Sequence, residues 1–197
     1  MLATNNPGKQ RELRELLVDL SGFRLVTPQD LGISLDVDEG GETYAENAAL
    51  KARAFMEASG IMALADDSGL EVDSLDGAPG LHSARYSPKA GATDADRRTY
   101  LLEKLAGKPR PWMARFRATI AIAVPGEALR FTEGACEGEI IPEERGTGGF
   151  GYDPIFLVAG ANQTMAELDE AEKNCISHRG VAMAAAKELL KEIAAAS

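Results

Sequence analysis

The stretch that most constrains the fold is Ala63-Leu64-Ala65-Asp66-Asp67-Ser68-Gly69-Leu70-Glu71-Val72, an apolar run that breaks on two adjacent carboxylates and a hydroxyl. As a strand, it places successive side chains on opposite faces, so Asp66 and Asp67 point opposite ways and only one leads the chemistry of a given cleft. A carboxylate followed by Ser68-Gly69, where backbone can come close to a ligand, suits a divalent metal or an activated water. The same residues also fit an Asp-Ser-Gly turn between two hairpin strands, with both acids solvated.

Other segments divide between helix and strand by period. Met1 to Thr4 is a short apolar start, Asn5-Asn6-Pro7-Gly8-Lys9 a loop, and Leu13, Leu16, Leu17 and Leu20 mark one face of a helix. Phe23 to Val26 reads as a second strand. Tyr44 to Met56 is rich in helix formers, with Thr43 and Glu46 spaced for a capping box. Leu70 to Leu75 alternates, Asp76 to Gly80 is a loop, and a helix is expected from about Thr93 to Leu105. Phe116, Ala118, Ile120, Ile122 and Val124 alternate with more polar or smaller residues in the clearest strand of the chain. Segments at 128–133 and 136–141 extend an antiparallel set. Met165 to Glu172 reads as a short helix, and Ala186, Leu189, Leu190 and Ile193 share a face of a terminal one.

Three stretches besides the acid pair carry candidate chemistry. Asn5 to Lys9 stands where a helix N-terminus presents unpaired N–H groups, a natural cradle for phosphate, although a plainly capped helix start fits as well and the spacing of a Walker loop is absent. In Gly149-Phe150-Gly151-Tyr152-Asp153 the aromatics lie outside any apolar period. They either stack a planar base, with Asp153 or backbone reading its edge, or tuck back into the core. Lys173, His178 and Arg179 bring polar and cationic groups to a second helix start, where Ser177 is suited to cap. Glu39, beside Gly40 and Gly41, has no local role and is a candidate metal ligand. Glu46 belongs to the cap, and Lys51 on the polar side of its helix reads as a solvated charge.

The chain has 197 residues and a net charge of -10, which disfavours coating nucleic acid or an anionic membrane but leaves room for a small phosphorylated ligand in a local basic pocket. Cys136 and Cys175 lack metal or redox spacing and are expected as reduced thiols. No apolar run approaches the roughly 20 residues of a membrane span, and no signal pattern opens the chain, so a cytoplasmic protein is expected. No linker or repeat interrupts residues 1–197, which are expected to form a single domain.

Taken in order, Leu2 to Lys9, Glu46-Asn47-Ala48 with Lys51-Ala52-Arg53, Ala65 to Leu70, Gly77 to Gly80, Ser83 to Tyr86, Gly149 to Phe156, and Lys173-Asn174 with Ile176 to Gly180 closely resemble the Ham1/RdgB family of pyrophosphatases acting on non-standard purine nucleoside triphosphates. The resemblance implies an α/β fold in which an elongated mixed β-sheet with flanking helices forms two lobes around a central nucleotide cleft, usually in a homodimer. It implies Mg²⁺-dependent hydrolysis of ITP, dITP and XTP to the monophosphate and pyrophosphate, which cleans the nucleotide pool. Residue by residue, it implies Asp67 as proton acceptor and metal ligand with Glu39 as the second metal acid. Thr4, Asn5, Asn6, Pro7, Gly8 and Lys9 fall in the triphosphate loop, with Ser68 at the substrate and Lys51 near the phosphates. Phe150, Gly151, Tyr152 and Asp153 form the base-binding loop, Lys173 is a substrate-binding lysine, and His178 with Arg179 marks the base and phosphate end of the site. Asp66 is left a supporting role. One departure stands out: the phosphate loop follows Met1 almost at once, so this edge is weakly held or the native start lies upstream.

The mechanism these parts support is direct hydrolysis, with Asp67 deprotonating a water for attack at the α-phosphorus and Lys9, Lys51, Lys173 and Arg179 neutralising the leaving pyrophosphate. Two other readings compete with it: a Maf-like pyrophosphatase acting on pyrimidine or modified bases, and a catalytically silent nucleotide-binding module. A substrate panel separates the first, and Asp67→Asn the second.

Overall fold

The structure, a computed structural model, describes residues 1–196. Helices α1 (Pro7–Leu16) and α2 (Tyr44–Ser59) precede strand β1 (Ala63–Val72). Helix α3 (Asp94–Leu105) leads into β2 (Trp112–Ala123), β3 (Arg130–Ile140) and the short β4 (Phe156–Val158), and α4 (Glu170–Ile176) and α5 (His178–Ala196) follow. The strands form one sheet in the order β1-β2-β3-β4. Leu2 adds an isolated parallel bridge to Leu64, whereas β3 and β4 pair antiparallel with Gly138 opposite Val158 and Ile140 opposite Phe156, so the pairing is mixed.

The chain divides into two compact units. The first holds Met1–Asp67, Ala118–Gly134 and the chain from Arg179 onward; the second holds Ser68–Arg117 and Ala135–His178. Within the first, the period of two on β1 and β2 sorts the core into two layers. Leu64, Ile120 and Ile122 pack with Leu13 and Leu16 of α1 and Met183, Ala186 and Leu190 of α5. Their neighbours Ala63, Ala65, Ala121 and Ala123 face the other way, against Ala48, Ala52 and Phe55 of α2. Small side chains on both partners let this helix lie close to the strands. The second unit has its own core, in which Leu70 and Val72 of β1 meet Leu101 and Leu105 of α3, Trp112 and Phe116 of β2, Ile140 and Phe156.

The hairpin reading of the acid stretch is therefore wrong: β1 runs unbroken through Asp66, Asp67 and Ser68, because apolar partners wait on both faces before and after them. Five other expectations change. Among the described residues Phe23 to Val26 forms no strand; the Val26 carbonyl accepts from Leu2 N, while Ala3 N donates to Leu64 O. Residues 73–75 turn into a 3₁₀ helix instead of continuing β1. The segments at 128–133 and 136–141 are one strand, β3, and the short helix expected at 165–172 begins at Glu170, capped by Asp169. At α2, Thr43 caps as expected, but the Glu46 carboxylate accepts from Glu42 N, so the box is not closed on the cap residue itself.

Gly138 marks where β4 crosses closest to β3. A Cβ there would lie 2.3 Å from the Leu157 carbonyl oxygen and 2.7 Å from the Phe156 ring. Both are fixed by the ladder and the core, so neither can yield cheaply. Gly138→Ala is expected to lower the unfolding free energy by about 1–3 kcal/mol in urea titrations, and an unchanged midpoint would contradict this packing.

Candidate active site

Alternation along β1 gives the two adjacent acids different surroundings. Asp66 shares the face of Leu64 and so looks toward α1 and α5. Its carboxylate is fully enclosed, accepting from Arg179 Nε at 3.0 Å and pairing with Lys9 Nζ at 2.8 Å. Arg179, with 2 % of its side chain exposed, also donates through Nη1 to Glu12 of α1. One strand and two helices are thus tied through a buried set of two cations and two anions. Burial alone would push the Asp66 carboxyl up, but Arg179 and Lys9, with Lys51 behind them, hold it far below the usual carboxylate range. The Arg179 guanidinium is raised correspondingly: burial opposes its charge, and Asp66 and Glu12 more than offset that.

Asp67 shares the face of Ala63 and Ala65 and looks toward α2. There Lys51 Nζ donates to Asp67 Oδ1 at 2.8 Å and to Glu39 Oε2 at 3.1 Å. Lys51 is not solvated, as its helix position suggested; only 10 % of its side chain is exposed. Glu39 reaches it because Gly41 N donates to the buried Asn47 Oδ1 at 2.8 Å, one helical turn before Lys51 on α2. Gly41 is required at that approach, since a Cβ would stand 2.7 Å from both Asn47 Oδ1 and Glu46 Cβ. Burial raises the Asp67 carboxyl above the ordinary range against the pull of Lys51 and Lys9, and the nearby charge of Glu39 adds to the rise. Glu39 is also disfavoured by burial, yet the Lys51 ammonium holds it below its ordinary value.

At the start of α1, Asn6 Oδ1 accepts from Gly8 N and Lys9 N, and Thr4 Oγ1 accepts from Asn6 N. Asn5 Nδ2 donates to Leu35 O. The helix is capped from its own sequence, with Pro7 at its first position, so the N–H groups of Gly8 and Lys9 already have a partner. The basic group of this loop that reaches the acids is the Lys9 side chain, which also donates to the Asp66 carbonyl.

In the second unit the aromatic loop is fastened at several points. Gly151, at φ +63°, donates its N–H to Asp94 Oδ2 and accepts from Arg98 Nη1, both at 2.8 Å, so the two ends of one peptide neighbourhood are clasped by α3. Arg98 is itself held by both oxygens of Glu144. Tyr152 is buried in the core with its hydroxyl donating to Ser83 O, whereas Phe150 stays half-buried with the Lys173 ammonium 5.8 Å from its ring centre. Lys173 Nζ donates to Asp153 Oδ2 at 2.8 Å, and the same oxygen accepts from Phe150 N. The His178 ring stacks on Phe116 at 4.8 Å. The two readings of the loop thus divide between its aromatics, Tyr152 turning inward and Phe150 not.

The Ham1 family model matches residues 1–189. The chain belongs to the Ham1 family. A Ham1 relative from Desulforamulus reducens named a dITP/XTP pyrophosphatase is 49 % identical, covering 98 % of this chain and 96 % of its own. One of the same name from Bacillus subtilis is 42 % identical over 97 % of this chain and 96 % of its own. The solved structure of a HAM1 protein from Coxiella burnetii superposes with a TM-score of 0.86 at 43 % identity, covering 97 % of each chain. The mixed α/β structure, a four-stranded antiparallel sheet with flanking helices, is the Ham1 fold.

Of the site residues expected from the sequence, this Ham1 chain gathers Lys9 and Arg179 on Asp66 at one face of β1 and Glu39 and Asp67 on Lys51 at the other, with Thr4 to Gly8 leading into Lys9. In the second unit Phe150 to Asp153 and Lys173 form a separate connected group, and Ser68 and His178 belong to that unit. Sequence reasoning missed Glu12, Asp94 and Arg98. Glu12 is one turn beyond Lys9 in α1 and could have been found only by asking which acid on that helix would be buried. Asp94 and Arg98 lie four apart on α3, spacing that marks a shared face but not what it faces.

Removing one partner of a buried ion cluster leaves the others uncompensated. Asp66→Asn is expected to cost about 3–5 kcal/mol of stability near neutral pH in denaturant titrations. Because the folded carboxyl titrates below its unfolded value of about 3.9, this contribution is complete above that pH and drains away as pH falls toward the folded value. The gap between wild type and variant should therefore narrow in acid; a gap that widens there would contradict the assignment.

Proposed function

We propose that the chain hydrolyses inosine, deoxyinosine and xanthosine triphosphates to the monophosphate and pyrophosphate, and so removes them from the nucleotide pool; its relatives carry the name dITP/XTP pyrophosphatase. The observation that carries the chemistry is the buried Asp67, raised by its surroundings and joined to Glu39 through Lys51. A carboxylate shifted upward toward working pH is a better proton acceptor than an ordinary one. Asp67 accepts the proton of a water that attacks the α-phosphorus, and the pyrophosphate leaves from the opposite side.

The donor set fits Mg²⁺. Glu39 and Asp67 supply two hard carboxylate oxygens within reach of one another through Lys51. That suits an ion which keeps waters and takes its remaining ligands from substrate phosphates. Glu39 and Asp67 would hold Mg²⁺, which would supply neutralising charge at the phosphate oxygens. Lys9 and Lys51 hold the polyphosphate, with Thr4 to Gly8 and Ser68 beside it. Arg179 contributes differently from the sequence expectation, since Asp66 and Glu12 already balance its charge; its part is to hold the acid strand in place.

Base choice belongs to the second unit's loop. Phe150 offers its ring for stacking, Lys173 and Asp153 act together at the base edge, Gly151 and Tyr152 act through their backbone, and His178 stands by as a further donor. The whole chain works as a single pyrophosphatase domain, in the cytoplasm and as a homodimer, with no nucleic-acid polymer or membrane as partner. Among the described residues no helix is long and apolar enough to cross a membrane.

A panel of nucleoside triphosphates with pyrophosphate release as readout is expected to give dITP, ITP and XTP turnover well above dATP, dGTP and dTTP; dTTP equal to or above dITP would overturn the proposal in favour of the pyrimidine-acting class. Asp67→Asn is expected to lower kcat by about 10²–10⁴-fold while nucleotide binding is largely kept. EDTA is expected to abolish turnover and added Mg²⁺ to restore it, and full activity in EDTA would remove the metal from the account.

A further inference from the structure

Lys51 occupies a position that bears on how the metal and the nucleotide enter. Its ammonium donates to Asp67 Oδ1 and Glu39 Oε2, the same two carboxylates that would hold the cation, and it does so with little exposure to water. The arrangement is built in: Asn47 fixes the Gly41 segment that carries Glu39, and Lys51 follows Asn47 by one turn on the same helix face. A divalent cation bound to this acid pair would lie beside a buried ammonium, where like charges repel with little screening. A triphosphate removes the conflict from both sides, offering oxygens to complete the metal's coordination and an anionic partner for the ammonium.

We propose that Lys51 is the resident counter-ion of the Glu39–Asp67 pair and competes with the metal for it, so that metal binds tightly only together with a polyphosphate that takes the ammonium over. The proposal rests on the nucleotide-hydrolysing reading and adds an order to it: metal and substrate load as a coupled pair. By linkage, the nucleotide strengthens metal binding by the same factor as the metal strengthens nucleotide binding.

The test is Mn²⁺ binding followed by electron paramagnetic resonance, which needs no turnover, on wild type, Lys51→Met and Lys51→Arg. With protein alone, Lys51→Met is expected to bind Mn²⁺ about tenfold or more tightly than wild type, whereas Lys51→Arg, which keeps the charge, stays weak. With a non-hydrolysable α,β-methylene analogue of dITP, after subtraction of its own Mn²⁺ binding, wild type gains about tenfold or more and Lys51→Met gains little. Lys51→Met binding no tighter than wild type would overturn the proposal. Should Lys51→Met show no cooperative thermal transition, the wild type decides: equal Mn²⁺ affinity with and without the analogue overturns it. Turnover of the substrate panel alongside an unchanged Lys51→Met affinity sinks this inference alone. Absent turnover with the expected Mn²⁺ shifts sinks the function reading instead.

Discussion

Everything in the first unit's site depends on one enclosed carboxylate, Asp66, held between the guanidinium of Arg179 and the ammonium of Lys9. An unpaired charge in that position would be expensive enough to forbid the fold, so the helices carrying its partners must dock as they do. Glu12 completes the set by pairing with the other side of Arg179. The cluster sets the register of β1 as well, for a slip of one residue would turn Asp66 toward α2 and Asp67 toward the cations of α1 and α5.

That register is what makes two neighbouring acids do different work. Asp66 is saturated with positive charge and held far down as a carboxylate, which makes it a poor proton acceptor and a good anchor. Asp67, on the face lined by small residues and α2, is raised by burial and linked through Lys51 to Glu39. The alanines at 63, 65, 48 and 52 let α2 come near enough for Lys51 to reach both acids. The second unit follows a different plan, with backbone and side-chain bonds from Asp94, Arg98, Ser83 and Asp153 shaping a glycine-rich loop.

Much of this was legible in the chain itself. The period of two at Phe116 to Val124, the cap at Thr43 and the helical run from about Thr93 to Leu105 locate β2, α2 and α3 within a few residues, since each is a local signal. The opposite facing of Asp66 and Asp67 follows from strand geometry, once β1 is a strand. What makes it a strand, rather than a turn, is burial by distant partners, the apolar residues on both faces before and after the acids together with residue 179 against Asp66, a contact spanning 113 positions that no local pattern contains. The same limit hid the buried state of Lys51, whose helix position reads as solvent-facing until Glu39 is brought over it from a loop. Phe23 to Val26 failed as a strand for the converse reason: its composition is right, but its backbone bond to Leu2 through Val26 builds no ladder among the described residues. Phe150 and Tyr152 look alike in sequence and separate only because Ser83 offers a buried carbonyl to one of them.

In the proposed reaction Asp67 activates a water, and that water attacks the α-phosphorus. Turnover of dITP in ¹⁸O-enriched water, with mass analysis of both products, tests this most directly. The account predicts one ¹⁸O in the monophosphate and none in the pyrophosphate; label in the pyrophosphate would place the attack at the β-phosphorus and contradict it.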